Sequence, residues 1–157
     1  MLDENKYLQY GVQRSTGDIL GITIHESSNI NDTAEDLMKW YNTECKSNTT
    51  YHYVVDSKGF QQLMPDDYAL NHVGKYASWG DLYTIAIEIC TTLSDEKFNS
   101  TLQNTIYLIK LLQETYNISD KMIFFHNDFN DRVYCPKTLL NKYGTAKIFV
   151  MEELQGG

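Results

Sequence analysis

Two histidines and a cysteine stand where short apolar runs give way to polar chain. His25 closes the segment Ile19 to His25 (ILGITIH), His126 follows Lys121 to Phe125 (KMIFF), and Cys135 directly precedes Pro136. Two imidazoles and a thiolate are a ligand set suited to zinc, and three protein ligands leave a fourth position open for water. Such a site lowers the pKa of water towards about 7 and polarises a carbonyl, so the chemistry these residues suggest is metal-assisted hydrolysis. Spacing across distant segments is not diagnostic by itself. Each residue has a plainer alternative: a histidine satisfied at a sheet edge, or a cysteine acting as a small buried hydrophobe.

Glu88 is the one charged residue inside the most hydrophobic segment, Thr84 to Cys90 (TIAIEIC). Burial there raises a carboxyl pKa unless a cation or a hydrogen-bond donor answers it, which makes Glu88 a candidate general base. His52 alternates with Tyr51 and Tyr53 in YHYVVD and reads as structural, while Cys45 and Cys90 read as core.

The elements that must position these groups follow from periodicity. ILGITIH and TIAIEIC read as buried strands, and KMIFF as a third. Tyr51 to Asp56, the turn Ser57-Lys58-Gly59 and Phe60 to Met64 read as a hairpin. Asn31 or Asp32 can cap a helix reaching about Cys45, with Ala34, Leu37, Met38, Tyr41 and Cys45 on one face. Leu102, Ile106, Ile109, Leu112 and Tyr116 recur at helical spacing between about Ser100 and Tyr116. Beyond His126 the sequence predicts a loop, then a helix opened by Pro136 and carrying Leu139, Leu140 and Tyr143. Gly144 should interrupt before a last helical segment around Lys147 to Leu154. Strands alternating with helices predict an α/β fold, and the hairpin makes its central β-sheet mixed, flanked by α-helices; the strand order is not deducible.

The bulk properties bound the function. The chain of 157 residues is 42% hydrophobic, enough for one domain with its own core, and contains no repeat or linker. With 13 basic and 21 acidic residues, a net charge of -8 and no basic run, nucleic acid is excluded as an expected partner. No export signal or 18-residue apolar stretch is read, so no membrane insertion is expected. Three cysteines without close spacing argue against a disulfide framework. A monomer or weak oligomer is expected.

Several blocks, in order over residues 20 to 140, resemble the zinc-dependent N-acetylmuramoyl-L-alanine amidases, the peptidoglycan amidases related to phage lysins and peptidoglycan recognition proteins. They are ITIHES (Ile22 to Ser27), TTYHYVVDSKGFQQLMP (Thr49 to Pro65), NHVG (Asn71 to Gly74), TIAIEIC, and HNDFNDRVYCP (His126 to Pro136). A single amidase catalytic domain over residues 1–157, with no wall-binding domain in the chain, is expected, and the resemblance implies that it cuts peptidoglycan between N-acetylmuramic acid and L-alanine. It implies that His25, His126 and Cys135 bind zinc, that Tyr51 hydrogen-bonds the tetrahedral intermediate, and that His72 contacts substrate. Where the family often has a lysine two residues before the cysteine, this chain has Val133, and Arg132 is the nearest cation to stabilise an oxyanion. Cys135 aligns the chain with the lysin-like members rather than with the cytoplasmic ones that use an aspartate. A phage or prophage endolysin, made in the host cytoplasm and acting on the wall, is the expected setting. The alternatives are a non-catalytic peptidoglycan-binding module and a cysteine peptidase using Cys135.

Overall fold

The computed structural model describes residues 1–74 and 78–156. Helix α1 (Tyr7–Tyr10) and strand β1 (Gly11–Gln13) precede β2 (Gly21–Ile30) and α2 (Ala34–Thr43). The hairpin β3 (Tyr53–Asp56) and β4 (Gly59–Gln62) leads through β5 (Tyr68–Leu70) and α3 (Trp79–Tyr83) to β6 (Thr84–Thr91). The long helix α4 (Asp95–Tyr116), strand β7 (Ile123–Phe125), and helices α5 (His126–Phe129), α6 (Lys137–Tyr143) and α7 (Ala146–Phe149) complete the order. A turn of π-helix, Val150–Leu154, continues from α7. The main sheet has five strands in the order β4-β3-β6-β2-β7, and β1 pairs with β5 in a separate two-stranded sheet. Within the main sheet β2, β3, β6 and β7 run parallel where they pair and β4 is antiparallel to β3, so the sheet is mixed and flanked by helices, as the sequence predicts.

Register divides this sheet into two unlike faces. In parallel strands, residues directly opposite one another point the same way, and alternate residues point to opposite faces. One rank aligns Ile24 with Ile87 and Phe125, Tyr53 with Ile87, and Val55 with Ile89. These side chains form a core with Leu102, Ile106, Ile109 and Leu112 of α4 and with Leu139 and Phe149 from α6 and α7. The other rank aligns Thr23 with Ala86 and Phe124, and His25 with both Glu88 and, through it, Val54. At its α2 end this second face is closed by Tyr41, Val54, Leu63, Met64 and Cys90.

Several boundaries differ from the sequence expectation. Helix α2 is capped not by Asn31 or Asp32 but by Thr33, whose hydroxyl accepts from the Asp36 amide while Asp36 accepts from the Thr33 amide. Helix α4 starts five residues before the predicted Ser100, because Ser94 caps it and its polar first turn carries no apolar period. The predicted loop after His126 begins with a helical turn, since Asp128 folds back to accept the Phe125 amide at 2.7 Å. Pro136 precedes α6 rather than opening it.

Candidate metal centre

Strand geometry delivers the first ligand. His25 lies on β2 in the polar rank and is 1% exposed. His126 follows the last residue of β7, and because Thr23 pairs with Phe124, two residues further along both chains bring His126 alongside His25. Their Nδ1 atoms stand 3.1 Å apart and their ring centroids 4.6 Å. Cys135 arrives from the loop between α5 and α6, and one donor atom from each of the three residues lies within 4.8 Å of the other two. Two nitrogens at about 2.0–2.1 Å from a tetrahedral zinc are about 3.3 Å apart, so the observed pair is close to a ligating geometry and the three donors fit the ion.

The loop carrying Cys135 is held from below by Glu26. This carboxylate accepts from the Thr138 amide at 2.6 Å and the Thr138 hydroxyl at 2.5 Å, tying the start of α6 to the residue next to His25. The Asn127 amide donates to the Cys135 carbonyl at 3.1 Å and closes the loop on itself. The Cys135–Pro136 peptide is cis. Glu26 escapes sequence reasoning because it looks like a solvent-side residue of an alternating strand; its adjacency to His25 is the only signal.

Glu88 sits directly across from His25 in register and is 6% exposed, with its Oε2 buried and without a hydrogen-bond partner. Burial drives its pKa well above the ordinary glutamate range, opposed by the neighbouring Tyr51 hydroxyl. Tyr51 packs against His25 with ring centroids 4.9 Å apart, and burial together with the Glu88 charge raises its phenol well above 10, so it remains a proton donor. Burial also pushes the Cys135 thiol up to about 12. Without a cation beside it, that sulfur is a thiol and not a nucleophilic thiolate. Both His25 and His126 are held below 6.5, chiefly by burial, and so present lone pairs at neutral pH.

His72, the residue that the family resemblance implies as a substrate contact, is 2% exposed and lies behind His25, its Nδ1 2.9 Å from the His25 Nε2. Its backbone amide and that of Val73 donate to Asp81 at 2.8 and 3.0 Å, which fixes the Asn71–Gly74 turn under the centre. Asp81 carried no signal in the sequence. Arg132 is exposed, and among the described residues its side chain makes no hydrogen bond or ion pair. His52 is structural, as expected: its Nδ1 accepts from the Ala86 amide at 2.9 Å and its Nε2 donates to the Tyr68 carbonyl at 2.8 Å.

A family profile described as N-acetylmuramoyl-L-alanine amidase matches residues 15–138. The chain is 29% identical over 131 residues to the N-acetylmuramoyl-L-alanine amidase XlyA of Bacillus subtilis (strain 168), covering 82% of this chain and 43% of that protein. A mutant endolysin from Bacillus subtilis superposes with a TM-score of 0.75 at 28% identity, covering 87% of this chain and 86% of the other. The structure of PlyL shares the fold with a TM-score of 0.81 at 22% identity, covering 96% of this chain and 93% of the other. The chain spans less than half the length of the curated relatives it matches.

Proposed function

The chain belongs to the N-acetylmuramoyl-L-alanine amidase family, and from that premise we propose that it is a zinc-dependent hydrolase of the amide bond joining N-acetylmuramic acid to L-alanine in bacterial peptidoglycan, acting as a phage or prophage lysin. The observation that carries this reading is the convergence of His25, His126 and Cys135 beside a buried, unpartnered Glu88 on one face of the sheet. Zinc held by these three side chains would act as a Lewis acid on the amide carbonyl and on water.

The chain's own groups supply the proton movements. Glu88, which burial alone would keep protonated and which the charge of a bound zinc would return to its carboxylate form, takes a proton from the attacking water and returns it to the departing alanine amine. Tyr51, kept protonated, donates a hydrogen bond to the oxygen on which charge develops. The polar rank is walled by Tyr41 and the core beneath α2, which limits the water that competes for these hydrogen bonds. Arg132 is solvated on its loop and is assigned no step. The high pKa of the Cys135 thiol argues against a cysteine peptidase, since little thiolate would exist without a cation. The lysin setting is supported by the similarity to the Bacillus subtilis endolysin.

Digestion of purified peptidoglycan tests the reading. New N-terminal alanine, lost on chelation and restored by zinc, is the expected product. New reducing ends without alanine amines would place the cut in the glycan strand, and binding without any cut would make the chain a recognition module.

A further inference from the structure

His72 is buried, lies outside the ligand set, and takes no part in the proton transfers assigned above. Both its ring nitrogens nevertheless have defined neighbours. Its Nε2 lies 3.1 Å from the Gly80 carbonyl, and its Nδ1 2.9 Å from the Nε2 of His25. A carbonyl oxygen can only accept, so the His72 Nε2 must carry a hydrogen. A neutral imidazole with Nε2 protonated has an acceptor at Nδ1, so the hydrogen between the two rings belongs to His25 Nε2. His25 then has its lone pair on Nδ1, the atom facing His126 Nδ1.

Thr84 closes the pattern consistently. Its hydroxyl is 2.7 Å from the same Gly80 carbonyl and must donate there. Its oxygen is then free to accept from Thr23, at 2.8 Å, and from the His72 Nε2 at 3.3 Å. With His72 neutral, one assignment of hydrogens satisfies every contact from the Gly80 backbone to the first ligand.

We propose that His72 is a positioning residue for the metal: hydrogen-bonded between His25 and the Gly80 carbonyl, it fixes the His25 tautomer and ring orientation so that Nδ1 is the ligating atom. This rests on the zinc reading above. Outer partners of a ligating histidine commonly affect metal affinity in this way. His52 is the natural contrast, because both its nitrogens are consumed by backbone groups and neither meets a ligand.

Zinc affinity, measured by competition with a chromogenic chelator on the intact chain, separates the two roles. His72→Phe removes the acceptor and should weaken zinc binding about 10–100-fold, whereas His72→Asn, which returns an amide oxygen near the Nδ1 position, should stay within about threefold of the unmodified protein. His52→Gln should lose stability without losing zinc affinity. Equal affinities for the Phe and Asn variants would overturn the proposal. Should His72→Phe not fold, nitrogen-15 spectra of the unmodified, zinc-loaded protein give the same answer: His72 is expected to be protonated on Nε2 and bare on Nδ1, and the opposite tautomer contradicts the proposal. A protein that binds no zinc at all would instead remove the metal reading, and this inference with it.

Discussion

The two faces of the five-stranded sheet are built from the same strands by opposite rules. Towards α4 the rank is Ile22, Ile24, Ile85, Ile87, Ile89 and Val55, a run of aliphatic side chains that gains stability by excluding water. On the other face the same strands bring forward Thr23, His25, His52 and Glu88, each buried, and each costly to bury unless a partner is supplied. His52 and Thr23 have protein partners that satisfy them, whereas Glu88 Oε2 does not. The aliphatic face therefore accounts for the fold, and the polar face is where the proposed chemistry lies. One residue of register separates them.

The sharpest break in that comparison is a pair of substitutions on adjacent residues of β6. Glu88→Gln is expected to lower kcat for peptidoglycan hydrolysis by about 10²–10⁴. Its unfolding midpoint should hold or rise, because an unpaired buried carboxylate is removed. Ile87→Ala, one residue away on the opposite face, should cost about 2–5 kcal/mol in denaturant unfolding and leave the activity of the folded fraction unchanged. A Glu88→Gln protein that remained active, or an Ile87→Ala protein that lost turnover while folded, would erase the distinction between the faces.

A smaller effect comes from pH. Burial holds His52 neutral in the folded metal-free protein, well below the ordinary value of 6.5, while the unfolded chain takes up a proton there normally. The unfolded state thus binds more protons below pH 6.5, and stability is lost as the pH falls through that value. The contribution is about 1.4 kcal/mol per pH unit, so urea unfolding of His52→Gln between pH 6.5 and 5 should show a shallower pH slope than the unmodified protein by about that amount. The smallest effect belongs to Arg132→Ala. With its side chain solvated, it should stay within about 0.5 kcal/mol in stability and lower kcat/KM by less than about tenfold. A larger loss of rate with zinc still bound would show that the loop swings Arg132 onto the substrate.

What was legible in the sequence follows the same division. The aliphatic rank announces itself: ILGITIH, TIAIEIC and the helical spacing of Leu102 to Leu112 are read from hydropathy alone, and their strands and helix are all present. Glu88 stood out because it violates that pattern. The strand order was not readable, since parallel pairing of β2 between β6 and β7 is decided by packing of the helices and not by local sequence. Nor were the supports of the polar face. Glu26 reaches Thr138 across 112 positions of chain and His72 reaches His25 across 47, distances over which residue type and spacing carry no signal. The one-turn helix α5 hid for another reason: its start depends on Asp128 folding back to the Phe125 amide, which residue preference alone does not distinguish from a loop.

The central claim is that the polar face holds zinc through two imidazoles and a thiolate, and X-ray absorption at the zinc edge of the purified protein measures this directly. One ion per chain is predicted, with two nitrogen neighbours at about 2.0–2.1 Å and one sulfur at about 2.3 Å, the sulfur shell vanishing in Cys135→Ser. A chain that takes up no zinc, or one whose zinc has no sulfur neighbour, would contradict it.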